Sequence, residues 1–315
     1  MNKDIKIYIA GHRGLIGSAI YSECHSRGYR NLIVKDHREL DLTDSHAVET
    51  FFENNRPDYV FLAAGKVGGI IQNQETPADF LTENLKIQLN VIESAQKFSV
   101  KKLILFGSSC MYPRECLQAM SEDMLLTAKP EPTSLPYATA KLAGLQLCDA
   151  FNRQYGTQFI SVIPNSVFGP FDNFDPKSGH VLSALIRRIH EAKQQQLPYV
   201  ELWGTGSPRR EFVFSSDVAK AVLTIMASDT EQLEVPLNIS SGDEYSIKEL
   251  SEMIQATVGY DGEIRWDTSK PDGAPRKLLD STRLRKLGWQ PETSFLDGLK
   301  ETYRWYKESY SDASD

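Results

Sequence analysis

Tyr137 and Lys141 stand four residues apart in the run YATAK, inside a segment, 137–156, whose apolar spacing predicts a helix. Four residues is about one turn, so the two side chains share a face. A phenol is a poor acid–base at neutral pH because its ordinary pKa is about 10. An ammonium beside it favours the phenolate and moves that value down, towards the range useful for general acid–base catalysis. An exposed helix face would show the same spacing, so the pair needs company. Upstream, Ser108 and Ser109 close the strand-like run KLILFGSS. The carboxyl end of a parallel strand is where open α/β sheets hold their ligands. A hydroxyl there would bond a substrate oxygen beside the phenol.

A second constellation lies at the start of the chain. Gly11, Gly14 and Gly17 form GxxGxxG where an apolar run, 5–10, hands over to a helix-periodic run, 15–28. Glycines at this spacing allow a tight turn, a close backbone approach to a pyrophosphate, and close packing of helix on strand. The helix start then offers free N–H groups to the anion. Asp36 follows Gly17 by nineteen residues, where a carboxylate can grip the adenosine ribose and favour NAD. Arg13, Lys35, His37 and Arg38 crowd the same corner and would suit a 2′-phosphate. The local charges conflict, and these residues leave NAD and NADP both open.

The elements that must position these groups alternate. Strands are expected at 5–10, 31–36, 59–65, 102–109 and 159–169, and helices at 15–28, 47–55, 78–98 and 137–156. Near-continuous apolar strands alternating with helices imply an α/β fold with a doubly wound parallel sheet of the Rossmann kind, covered on both faces. After Gly169 the pattern changes. A turn-rich loop (170–179), a helix (180–196), strand-like runs at 200–204 and 211–214, a further helix and the loop 269–277 suggest a second, smaller α/β substrate lobe. The expected division is 1–170 plus about 212–239 for the dinucleotide, and 171–211 plus about 240–315 for the substrate. The last residues, SYSDASD, read as an unstructured tail.

Composition narrows the class. A net charge of −7 with both signs mixed along the chain argues against a nucleic-acid partner or an anionic membrane surface. The apolar runs are too short to span a bilayer and no secretory signal is visible, so a cytoplasmic setting is expected. Cys24, Cys110, Cys116 and Cys148 lack CxxC spacing, which fits a reducing compartment. No His/Cys/carboxylate set has metal-ligand spacing, and no metal is expected.

Gly-rich loop, strand-end serine and YxxxK, in that order, resemble the extended short-chain dehydrogenase/reductase superfamily. Longer stretches are more specific. GHRGLIGSAI, AAGKVGGI, GSSCMYP, EPTSLPYATAK, NFDPKSGHVLSALIRRIHEA, WGTGSPRREF and SKPDGAPRKLLD are similar to the GDP-L-fucose synthase family. That resemblance implies a GDP-sugar substrate, NADPH as cofactor with NAD left open, and a homodimer through helices of the first lobe. It implies proton removal and return at C3 and C5 of a 4-keto sugar, followed by hydride delivery to C4. Tyr137 would donate the proton, helped by Ser108 and Lys141; Cys110 would be the epimerising base and His180 the acid. A thiolate and an imidazole both exchange protons near neutral pH. At a helix start the dipole would also make the proton of His180 easier to give. Taken alone, Cys110 would be an ordinary buried thiol and His180 a helix-start hydrogen-bonding residue.

The same resemblance places Leu15, Ile16, Ala63, Ala64, Pro164, Asn165 and Val167 beside the cofactor, and Lys66 and Asn165 near the substrate. Charge suggests Arg188, Arg210, Lys270, Arg276 and Lys277 for the diphosphate, and Trp203 for the base or sugar. Arg187 and Arg209 read as solvated neighbours. Rival readings are a C5-epimerase/4-reductase making GDP-colitose, a 4-reductase of GDP-heptoses, or a 4-epimerase or 4,6-dehydratase. A dehydratase commonly carries an acidic pair where Cys-Met-Tyr follows Ser109 here. A redox-sensing binding protein would not need Ser, Tyr and Lys together, and a cysteine hydrolase would leave the glycine loop unexplained.

Overall fold

The computed structural model describes residues 2–175, 178–229, 233–270 and 272–310. Residues 311–315 of the expected tail, 176–177 of the loop 170–179 and 271 of the loop 269–277 lie outside the described residues.

Runs such as KIYIA and FISVIP have no polar face to give to water, so they settle as central strands of one sheet. β1 (Lys6–Ala10), β2 (Asn31–Ile33), β3 (Tyr59–Leu62), β4 (Lys102–Phe106), β5 (Phe159–Pro164) and β9 (Leu237–Ile239) form a six-stranded sheet in the order β2-β1-β3-β4-β5-β9. Each of its pairings is parallel. Alternation along β1 sorts the two faces. Ile7 and Ile9 pack with Ile20 and Cys24 of α1 (Leu15–Ser26) and with Val218 and Val222 of α7 (Ser215–Ala227). Tyr8 and Ala10 face Phe52 of α2 (Ser45–Asn55), Val91 of α4 (Pro77–Lys97) and Cys148 of α5 (Leu135–Tyr155). The chain leaves β1 for β2 on one side and returns to β3 on the other. That reversal opens the crevice in which such sheets bind ligands.

The expected strand 31–36 stops at Ile33. Asp36 instead closes a turn, its carboxylate accepting from the N–H groups of Arg38 and Glu39 at 2.9 and 3.0 Å. The expected strand 159–169 is two strands. Asn165 still donates its N–H to Ile239, at 3.1 Å, and β6 (Ser166–Phe168) then leaves for a second sheet. There β8 (Arg209–Phe214) pairs with β6, β10 (Glu244–Ser246) and β12 (Arg276–Lys277). A small parallel pair, β7 (Tyr199–Trp203) with β11 (Glu263–Asp267), stands beside it. Phe168, Phe212, Phe214 and Phe295 fill a separate core between these strands and α6 (Val181–Gln194), α8 (Ile247–Val258) and α10 (Phe295–Tyr310). Ser309 and Tyr310, assigned to the tail from sequence, are the last residues of α10. Two short helices escaped the periodicity: α3 (Ile70–Glu75) and α9 (Thr282–Arg285). No helix among the described residues is long and apolar enough to cross a membrane.

Candidate active site

The glycine loop is built by close contacts. Gly11 has φ +87°, and a Cβ there would lie 2.8 Å from the backbone N of Ala64, so the end of β1 runs hard against the end of β3. A Cβ on Gly17 would come within 2.1 Å of the Gly11 carbonyl oxygen, which fixes α1 on the loop. Gly14 is different. It is the N-cap of α1, no side chain caps that helix, and a Cβ would meet only the Gly11 oxygen at 3.5 Å. The N–H groups at Leu15, Ile16 and Gly17 therefore open the helix without a side-chain acceptor, an arrangement that fits a pyrophosphate. At the rim, the second Asp36 carboxylate oxygen pairs with Arg13 at 3.2 Å. Asp36 is thus spent on its turn and on Arg13. The exposed Arg13 and Arg38 flank it.

The carboxyl ends of β4 and β5 meet α5. Ser108 caps a short 3-10 helix, Ser109–Met111, by accepting from the Cys110 N–H at 3.3 Å. Its hydroxyl also acts on the buried Tyr137 phenol, favouring the ionised form. The Lys141 ammonium, buried as well, donates to the Phe106 carbonyl at 2.9 Å and lies 5.8 Å from the Tyr137 ring centroid. Burial brings its pKa down to about 8. The phenol does not move as its neighbour predicted. Burial, then the Cys110 thiol, push Tyr137 up, and only the Ser108 hydroxyl pulls the other way. The lysine is held on a backbone carbonyl and does not offset desolvation. A phenol that keeps its proton is an acid in waiting.

Cys110 is half-buried beside that phenol. His180 stands at the N-cap position of α6 and is exposed, and it interacts electrostatically with the buried Asp172. Its loop is tied to the first lobe: Gly69 donates to the Ser178 carbonyl at 3.2 Å. Gly68 lies under Phe80, and Phe80 meets the Tyr137 ring edge-on at 6.2 Å. A chain of contacts thus runs from the loop of His180 to the phenol.

Among the cations expected at or beside the nucleotide, Arg187 and Arg209 are committed, to Glu191 and to Glu244 with Glu249. Arg188 is exposed and forms no ion pair among the described residues. Arg210 gives a guanidinium hydrogen bond to the carbonyls of Arg209 and Ala274, both at 2.7 Å. Arg276 pairs with Glu244. Trp203 is 65% exposed, with Lys270 5.8 Å above its ring. Lys66 is ion-paired with Glu83 at 2.7 Å and with Asp79 at 3.5 Å, so a ligand would have to draw it away. Pro164, Ala63 and Ala64 sit at strand ends around the crevice, and Val167 pairs with Val213 in the second sheet.

Three buried polar residues around the site were not foreseen. Asn84 holds Lys66 by both backbone groups, at 3.0 and 3.1 Å. Gln88 ties α4 to the Ala140 carbonyl of α5 at 2.9 Å. Glu211 grips Asn165 at 2.5 Å. A charge interrupting the strand-like run REFVF was the one available signal for the last; the amides carry none. Among the described residues, no group of three or more His, Cys, Asp or Glu could hold a metal ion.

A family model described as the NAD dependent epimerase/dehydratase family matches residues 7–240. The chain belongs to that family. Within it, the chain is 50% identical to GDP-L-fucose synthase 1 of Arabidopsis thaliana, over 97% of this chain and 94% of the relative. It is 46% identical to the GDP-L-fucose synthase of Escherichia coli (strain K12), over 96% and 97%. A solved GDP-L-fucose synthetase of Naegleria fowleri bound to NADP superposes with a TM-score of 0.92 at 29% identity, covering 99% of this chain and 95% of that one. A nicotinamide cofactor follows from membership of this family.

Proposed function

We propose that the chain converts GDP-4-keto-6-deoxy-D-mannose into GDP-L-fucose, inverting C3 and C5 and then reducing the C4 ketone with NADPH. One observation carries this reading: Ser108, Cys110 and a proton-holding Tyr137 converge at the ends of β4 and α5, in a chain nearly half identical to GDP-L-fucose synthases.

C3 and C5 flank the ketone, so their C–H bonds are acidic. The Cys110 thiolate takes a proton from one ring face, leaving an enolate, and His180 returns one to the opposite face. Exchange of both groups with water resets them for the second carbon. NADPH, when bound, supplies the hydride to C4. The Tyr137 O–H gives its proton to the oxygen that was the ketone, Ser108 bonds that oxygen, and the Lys141 ammonium stabilises the phenolate left behind. The loop from Gly11 to Gly17, with Leu15 and Ile16, would hold the pyrophosphate. Arg13 and Arg38 would take the 2′-phosphate, since Asp36 has both oxygens engaged. Pro164, Asn165, Val167, Ala63 and Ala64 would line the nicotinamide half. Arg188, Arg210 and Lys270 would meet the diphosphate, Trp203 the base, and Lys66 and Asn165 the sugar. On this reading 1–170 plus about 212–239 carry the cofactor, and the remainder carries the nucleotide sugar. A second copy of the chain would cover the apolar groove of Leu85, Leu89, Ala143 and Leu147 between α4 and α5; a monomer mass in sedimentation equilibrium would refute that.

The test is incubation with GDP-4-keto-6-deoxymannose and either NADPH or NADH in deuterated water. Oxidation faster with NADPH, deuterium at C3 and C5, and a product of L-fucose configuration are expected. Deuterium at neither carbon would make the protein a 4-reductase, and no oxidation would remove the substrate assignment; a parallel incubation with the 3-deoxy substrate, turned over in its place with deuterium at C5, would make it a colitose-forming enzyme.

A further inference from the structure

Glu211 is fully buried, and the chemistry above gives it no part. It stands on β8 one step before Phe212, which pairs with Ser166 of β6, and so faces Asn165 across the junction of the two sheets. One carboxylate oxygen accepts from the Gly242 N–H at 2.7 Å, from the Ser241 hydroxyl at 3.4 Å and from the Ser240 hydroxyl. The other accepts from the Leu279 N–H at 3.2 Å and from the Asn165 side-chain amide at 2.5 Å. Asn165 turns the same amide nitrogen towards the Lys277 carbonyl, at 3.3 Å.

Both groups facing that end of Asn165 are acceptors. A carboxylate and a backbone carbonyl can be met only by the NH₂ of the amide, never by its oxygen. The Oδ1 atom is therefore forced the other way. It is buried and finds no partner among the described residues. A carbonyl oxygen sealed from water without a donor is a standing cost to the fold. Its position says what would relieve it. Asn165 directly follows Pro164 at the end of β5. The neighbouring strand β4 runs alongside through the Gly107 N–H bond to Val162, at 2.7 Å, and ends at Ser108. The orphaned oxygen thus belongs to the strand ends that carry the proposed catalytic hydroxyl.

We infer that Glu211 is a positioning residue that locks Asn165 with its carbonyl oxygen presented to the bound ligand, so that the ligand must offer an N–H or O–H at that point. The inference rests on the reading above for the identity of the two candidate donors. These are the carboxamide N–H of the nicotinamide and a hydroxyl of the sugar. The carboxylate also accepts from Leu279, just past β12, and the Asn165 it holds donates to Lys277 of that strand, which follows the loop of Lys270.

The experiment compares each ligand with a counterpart that lacks the donor, in wild type, Glu211→Gln and Asn165→Ala. The cofactor pair is NADPH and its 3-acetylpyridine analogue, in which a methyl replaces the amide NH₂. The sugar pairs are GDP-fucose and its singly deoxygenated forms. Dissociation constants are read by fluorescence quenching, with melting midpoints as the control for folding. Asn165→Ala leaves the other bonds of Glu211 in place and keeps the test meaningful if Glu211→Gln folds poorly. In wild type, one pair is expected to show a penalty of about tenfold for the missing donor, the size of one hydrogen bond to a buried partner. In both variants that penalty should shrink to about twofold or less. The pair that responds identifies the donor.

Variants that weaken every ligand by one factor, with discrimination unchanged, would make Glu211 a purely structural residue and overturn the inference. So would a wild type that discriminates in no pair. Failure of the functional reading looks different: wild type would bind NADPH yet leave GDP-4-keto-6-deoxymannose untouched, whatever the variants do.

Discussion

The strand ends of the large sheet and the exposed surface around α6 and β7 hold their candidate side chains in opposite ways. Tyr137, Lys141 and Asn165 are buried; before any ligand arrives Lys141 is bonded to a backbone carbonyl, Asn165 to the buried Glu211, and the Tyr137 ring is packed edge-on against Phe80. Arg188, Trp203 and His180 are exposed, and no side-chain hydrogen bond from His180 caps its helix. The first set is preorganised, held in place by the fold at the cost of desolvation that still shifts Tyr137 and Lys141. The second must gain its partners from the substrate and loses side-chain freedom in doing so. Removing Tyr137 or Lys141 should therefore cost rate, and removing Arg188 or Trp203 should cost affinity.

The largest break in that contrast is expected from Tyr137→Phe. The substitution removes one oxygen from a packed site and leaves the ring against Phe80. Without a proton donor, reduction at C4 should slow by about a thousandfold, within the range for a positioned acid, with the KM for the sugar nucleotide within about threefold of wild type. Because Cys110 and His180 remain, deuterium should still enter C3 and C5 from deuterated water. Single-turnover NADPH oxidation and NMR of the recovered sugar read the two stages separately. Loss of both stages together would mean that the phenol also serves the epimerisation, and that the site does not divide by residue.

A smaller effect comes from pH. The folded pKa of Lys141, about 8, lies below its ordinary value of about 10.4. The ammonium is therefore present below pH 8 and is lost as pH rises through that value. Burial holds the phenol protonated throughout this range, so the alkaline limb belongs to the lysine. The kcat/KM should fall by up to about tenfold per pH unit above 8, and Lys141→Arg should remove the limb even if it lowers the plateau. A limb that persists unchanged in that variant would assign it to another group.

How much of this was legible beforehand follows the same division. The glycine loop, Ser108 and the YxxxK pair announce themselves because their chemistry depends on local spacing along one loop or one helix turn. The first sheet was legible because alternating burial and continuous apolar runs are written in short windows. The break at Asn165 was not, since FISVIPNSVF reads as one uninterrupted strand and only tertiary pairing decides which sheet each half joins. The direction of the Tyr137 shift was missed for a related reason. Sequence shows that an ammonium is near, but not that the Phe106 carbonyl holds it or that burial outweighs it. The ion pairs of Lys66 could not be read beforehand, because Glu83 and Asp79 are seventeen and thirteen residues away along the chain yet meet its ammonium across the start of α4. Glu211 was invisible as a hub because its donors come from three distant segments, Asn165, 240–242 and Leu279.

Trp203→Ala probes the far end of the contrast and should have the smallest effect. The side chain is 65% exposed, and Lys270 is the one cation held over its ring among the described residues. Its truncation removes little buried area from the folded state, so the melting midpoint should move by no more than about 1 °C. If the indole packs on the base, its loss costs roughly 1–3 kcal/mol of stacking, and the KM for the sugar nucleotide should rise by about tenfold. The kcat should stay within about twofold, because a contact made equally in ground and transition states alters binding and not the chemical step. NADPH affinity should not change. A fall in kcat with KM constant would place Trp203 on the catalytic side of the divide, and the exposed surface could then no longer be read as a region that only binds.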